Sequence, residues 1–209
     1  MIVVDLKKKG SIVNISFDNS ELVSVPYEIF LKNNMYIGDE ISSEQVVTLK
    51  EQSQLYLIKQ SAYRYLGNRN HSRSELKNKL LKKGFEKERI SKALKDLIRL
   101  GYLDDSQFAK SFFTLKLKQK KGPNRIKAEL FKKGVDRKII DLVSRDFIDD
   151  DQILNSVNEL VIKKYNFLKT KEYTKIQIKQ KLYQFLLSRG FTSEVIMQSI
   201  ETILKENYE

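Results

Sequence analysis

Residues 117–134 read LKQKKGPNRIKAELFKKG. Pro123 has no backbone N–H and suits the first position of a helix, where that donor would lack an intrahelical partner. Gly134 suits the position just past a helix end, where the backbone turns left-handed. Lys132 and Lys133 complement the negative end of the helix dipole. The stretch therefore reads as one short helix with a Gly-Pro start and a Lys-Lys-Gly stop. It lacks the GxxxxGK[ST] pattern of a nucleotide-binding phosphate loop. The surrounding window is strongly basic: positions 116–138 hold 10 Lys or Arg against two acids, Glu129 and Asp136.

Working outward, the same stop occurs three times, as LKKGF at Gly84, FKKGV at Gly134 and LSRGF at Gly190. Aligning the chain on these glycines brings five apolar columns into register. Leu76, Ile126 and Leu182 lie eight residues before the glycine, and Leu80, Leu130 and Leu186 four before. Phe85, Val135 and Phe191 follow it directly. Ile90, Ile140 and Ile196 lie six after, and Leu97, Phe147 and Ile203 thirteen after. A period of roughly 50 residues with this many matched columns marks a tandem of three-helix units.

A second phrase repeats as well. YLDDSQFA (102–109) is echoed by FIDDDQIL (147–154). Asp104 with Gln107, and Asp149 with Gln152, fit a helix N-terminus where the carboxylate accepts from first-turn amides. These phrases open the first helix of the second and third units. In the first unit that role falls to a long helix from Ser43 to about Gly67, through Val46, Leu49, Leu57, Tyr63 and Leu66. Ser72 with Glu75 caps the middle helix of unit one, and Gly122 holds the same offset in unit two. In the middle helix of unit three, TKIQIKQKLYQFLLSRGF (174–191) has no Gly-Pro start and is longer by about a turn.

The first forty residues differ. IVVDL and SIVNISF are β-rich, and Val13, Ile15 and Phe17 alternate with Asn14 and Ser16, the period of a half-buried strand. Asp18-Asn19 suits a turn before a strand near Leu22–Val25, which Pro26 ends. The expected fold is mainly α. A small β-hairpin or three-stranded segment (1–42) precedes three-helix repeats at 43–101, 102–146 and 147–209, which stack into an elongated curved rod.

The chain has 209 residues, 41% hydrophobic, with no Cys, so disulfides and thiolate metal sites are excluded. This composition, and apolar residues that precede rather than follow the first lysines, fit a cytoplasmic protein better than a secreted one. Its net charge of +12 is unevenly spread. Residues 1–62 hold 6 Lys or Arg against 8 Asp or Glu, and the remainder holds 33 against 19. A basic helical body attracts polyanions, so nucleic acid or a nucleoprotein is the expected partner class.

The combination of LGYLDDSQFA with KKGPNRIKAELFKKGV, preceded by RSELKNKLLKKGF, resembles the RecX family of bacterial regulatory proteins over about residues 60–204. The resemblance implies a regulator that binds RecA on single-stranded DNA. Such a protein lies in the filament groove and inhibits the ATPase, strand-exchange and co-protease activities. That places it in homologous recombination, DNA repair and the SOS response. The third repeat departs from the family pattern, and the N-terminal β-segment matches an extension that some members carry.

The basic residues singled out for partner or DNA contact are Lys82, Lys83, Lys118, Lys120, Lys121, Arg125, Lys132 and Lys133. Single- or double-stranded DNA is a further expected partner, with no membrane, no cofactor or metal, and a monomeric chain. The alternative is a stand-alone DNA-binding protein of helix-turn-helix type. Its recognition helix should offer Arg, Asn or Gln to bases, whereas EKERISKALKDLIRL and DRKIIDLVSRDF begin with mixed charges. No catalytic constellation is visible, so no enzymatic activity is expected. The Asp104-Asp105 and Asp149–Asp151 clusters read as caps rather than a metal site. His71, the only histidine, reads as a surface loop residue. Phe108, Phe112 and Leu115, with Ala109 and Phe113, read as one core face, and Tyr63 and Tyr65 are not both expected to face the core.

Overall fold

A computed structural model describes residues 1–208. Three antiparallel strands, β1 (Val3–Lys9), β2 (Ile12–Phe17) and β3 (Leu22–Pro26), form a sheet in the order β1-β2-β3. Ile15 pairs with Leu6 on one side and Val23 on the other, and Val13 pairs with Val25. The alternation expected for β2 is met: Val13, Ile15 and Phe17 are buried together with Val3, Val23 and Val25. One element was not expected. Helix α1 (Tyr27–Asn33) starts directly after Pro26 and drops Ile29 into the same core. Seven residues make only two turns, too few for a helical period to emerge from sequence.

Helix α2 (Ser43–Asn68) opens with a closed capping box: Gln45 N–H donates to Ser42 Oγ, and Ser42 N–H donates to Gln45 Oε1. It serves two cores. Val46 and Leu49 pack with the sheet, whereas Ile58 and Ala62 pack with α3 (Arg73–Leu81) and α4 (Lys87–Arg99). Helices α5 (Asp105–Lys118), α6 (Pro123–Lys132) and α7 (Arg137–Phe147) enclose another core, and α8 (Asp150–Leu168), α9 (Lys175–Arg189) and α10 (Ser193–Tyr208) enclose the last. The chain divides into two compact units, Met1–Leu103 and the residues from Asp104 onward.

The five aligned columns are the cores. Every member is buried except Phe85 and Phe147, which are half-buried. Two columns exist because of how the middle helix stops. At each stop the glycine is left-handed, with φ of 84°, 74° and 88° at Gly84, Gly134 and Gly190. The following N–H then donates back five residues: Phe85 to Leu80 O, Val135 to Leu130 O and Phe191 to Leu186 O. The glycine N–H donates to Leu81, Phe131 and Leu187 O, respectively. This paired closure brings the residue after the glycine over the residue four before it, so both must be apolar.

Two readings need correction. Leu115 is exposed, and Phe112 is only half-buried beneath the Lys116 and Lys133 ammonium groups. The α5 core face is Phe108, Ala109 and Phe113. His71 lies in a loop but not on the surface: only 3% of it is exposed. Its Nδ1 meets Arg69 O at 2.9 Å, and its Nε2 has no partner. Burial disfavours the imidazolium and lowers its pKa. Tyr63 and Tyr65 are both half-buried. Tyr63 meets Tyr102 edge-on, and Tyr65 lies under Lys79 and Lys83.

Candidate functional site

The start of α6 has no capping side chain, because Gly122 supplies none. Its first-turn donors need partners from elsewhere. They find the C-terminus of α9. Gly122 N–H donates to Arg189 O (2.8 Å), Asn124 N–H to Gly190 O (3.1 Å), and Arg125 Nη1 to Ser188 O (2.8 Å). Pro123 between them has no donor to place. The positive end of one helix dipole thus closes on the negative end of another, and the orphan groups of both are satisfied.

This approach leaves no room for side chains. A Cβ on Gly122 would sit 2.3 Å from the Gly190 carbonyl atoms, and one on Gly190 would sit 2.4 Å from Arg125 N and Cβ. Gly122 has an ordinary φ of −72°, so its need is steric rather than conformational. Gly190 needs glycine on both counts.

Charge reinforces the joint. Glu129 Oε1 accepts from Lys121 Nζ (2.8 Å) and Arg125 Nε (3.1 Å), and the Lys120 ammonium, on a left-handed residue, pairs with Glu159 of α8. Burial pushes the Glu129 carboxyl up. Lys121 and Arg125, with Lys116 nearby, outweigh that and hold it below the usual carboxylate range.

The eight basic residues therefore fall into three groups. Lys120, Lys121 and Arg125 have partners within the chain. Lys83 lies 5.2 Å over the Tyr65 ring, and Lys133 lies 5.6 Å over Phe112. Lys82, Lys118 and Lys132 are exposed, and among the described residues none pairs with a carboxylate. The sequence reading missed Ser188 and Arg189 as the other half of the joint. Its one available signal was a helix start with no capping side chain.

The acidic phrases cap helices. Asp104 Oδ1 accepts from Ser106 and Gln107 N–H, and Asp149 Oδ1 from Gln152 N–H. Among the described residues no His, Cys, Asp or Glu cluster could hold a metal ion, and no helix is long and apolar enough to cross a membrane.

These elements define a tandem three-helix-repeat protein with basic surfaces on its helical units. The family descriptions of RecX match in order: the first three-helix domain at residues 59–97, the second at 104–143 and the third at 150–200. A relative named regulatory protein RecX from Chlorobium phaeobacteroides is 36% identical over 145 residues, 69% of this chain and 91% of its own. One of the same name from Clostridium beijerinckii is 29% identical over 207 residues, covering 98% and 95%. A crystal structure of regulatory protein RecX has the same fold, with a TM-score of 0.77 over 96% of this chain and 98% of its own, at 21% identity. That of RecX from Lactobacillus salivarius is 26% identical, with a TM-score of 0.64 over 71% and 96%. The chain belongs to the RecX family, whose named relatives are regulatory proteins.

Proposed function

We propose that the chain binds RecA and the filament it forms on single-stranded DNA, and inhibits the ATPase, strand-exchange and co-protease activities of that filament. The observation that carries this reading is the succession of all three RecX domains, in order, in a chain that matches regulatory relatives nearly end to end. Repeated basic modules suit a nucleoprotein partner, because several weak contacts on linked units add to a strong one. Lys82, Lys118 and Lys132 are the residues of the basic set best placed to make such contacts, being exposed and without carboxylate partners among the described residues. Lys83 and Lys133 follow, with their ammonium groups resting on aromatic rings. Lys120, Lys121 and Arg125 act on the partner through the joint they hold together.

Co-sedimentation with cognate RecA filaments tests this. The wild-type chain is expected to pellet with the filaments and to release as salt rises. K82E/K118E/K132E should bind at least tenfold more weakly with a shallower salt dependence. Absence of the wild-type chain from the filament pellet at low salt would sink the reading.

A further inference from the structure

A second concentration of positive charge lies in the third repeat, outside the stretch at the joint. Residues 162–189 hold eight Lys or Arg and a single acid, Glu172. Between α8 and α9 lies an open groove of about 560 Å³. Its walls carry Phe167, Tyr173 and Phe185 together with Lys164 and Lys181 and, among the described residues, no Asp or Glu. Phe167 is 57% exposed and Tyr173 39% exposed.

The cations converge on the rings. Lys164 Nζ lies 5.0 Å from the centre of Phe167 and 5.5 Å from that of Phe185. Lys181 Nζ lies 4.5 Å over Tyr173, and Lys171 Nζ 6.0 Å over Phe167. Arg189 closes the far end at 4.8 Å over Phe185. Among the described residues no carboxylate pairs with Lys164, Lys171 or Lys181. Gln180 and Gln184, four residues apart on α9, add amide groups able to donate and accept along the same wall.

We infer that this groove is a binding site for single-stranded nucleic acid, in which unstacked bases lie on Phe167 and Tyr173 while phosphates meet Lys164, Lys171 and Lys181. Charge complementarity selects a polyanion. The exposed rings select one with flat apolar faces, since an acidic peptide would satisfy the lysines and leave Phe167 in water. A duplex keeps its bases inside the stack and offers the rings nothing. Base–aromatic stacking beside a basic track is how proteins hold single strands without reading sequence. Stacking and phosphate contacts at this groove need no RecA, so the site is tested on DNA alone.

The experiment is a fluorescence-anisotropy titration of the full chain, without RecA, against a labelled dT oligonucleotide and an abasic oligonucleotide of equal length and charge. Wild type should bind dT more tightly than the abasic strand by about 5- to 100-fold per stacked base. F167A/Y173A should lose that preference yet keep the salt dependence. K164Q/K181Q should lower the slope of log K against log salt by about 0.7 for each phosphate contact removed. Both rings are solvent-facing, so far-UV circular dichroism should not change. A 5-iododeoxyuridine strand should cross-link wild type at Phe167 or Tyr173, which needs no variant. Equal binding of dT and abasic strands, or cross-links mapping only to other repeats, would overturn the site whether or not RecA binding holds.

Discussion

Two stretches of the second compact unit are about equally basic and put that charge to opposite uses. Around Gly122 the three cations nearest the joint are consumed by the chain: Lys120 by Glu159, Lys121 by Glu129, and Arg125 by Glu129 and the Ser188 carbonyl. Between α8 and α9 they stand over aromatic rings with no acid in the groove. Arg189 touches both regions, with its guanidinium 3.5 Å from Lys120 O and 4.8 Å from the Phe185 ring. Charge density alone does not mark an interface. Whether carboxylates and carbonyls already answer the charge decides what it is free to do.

The steric heart of the joint offers the largest effect. Gly122→Ala forces a Cβ into the Gly190 carbonyl and should lower the stability of the second unit by about 2–4 kcal/mol in chemical denaturation. Gly84→Ala is the control. It shares the left-handed stop but has nothing within 4 Å of the added carbon. It should lose only about 1–2 kcal/mol, the strain of a left-handed alanine. If the two variants are equally destabilised, the Gly122–Gly190 contact is not special.

The charged layer should matter less. K121M leaves the half-buried Glu129 with one cation and should lower stability by about 1 kcal/mol. K164Q/K181Q should leave the melting temperature unchanged, because those lysines hold nothing together. A fall in melting temperature for the groove variant, or none for K121M, would erase the contrast between the two stretches.

The smallest effect is a pH dependence. The Glu129 carboxyl is held below its ordinary value in the fold, so the unfolded chain takes up a proton first as pH falls. The contribution of Glu129 is fully present above about pH 4.3 and fades below it. Thermal melts from pH 7 to pH 3 should show E129Q less stable than wild type by a few tenths of a kcal/mol at neutral pH, with the gap closing in acid. A gap that stays constant to pH 3 would mean that the Glu129 pairs contribute nothing.

The repeat was legible in the sequence because each aligned column is a burial requirement, and the two that flank the glycine are enforced by a local hydrogen-bond pattern. Leu80 and Phe85 must both be apolar once Gly84 turns left-handed. The β-strands were legible for the same kind of reason: Val13, Ile15 and Phe17 obey a period that burial imposes. The joint was not legible, because its partners lie 63 residues apart and meet through backbone carbonyls that any residue carries. The same limit explains His71, whose burial is set by neighbours such as Tyr65 rather than by a pattern around it. The groove was half-legible. Its lysines and aromatics are plain in residues 162–189, but only the folded chain shows which of them line the groove and that, among the described residues, no acid lines it with them.

The most direct test of the regulatory reading is the single-stranded-DNA-dependent ATPase rate of cognate RecA as this chain is added, at low and moderate salt. The rate should fall at substoichiometric amounts of the chain, and should need more of it at the higher salt. An unchanged rate at large excess, with RecA and DNA both active, would contradict the account.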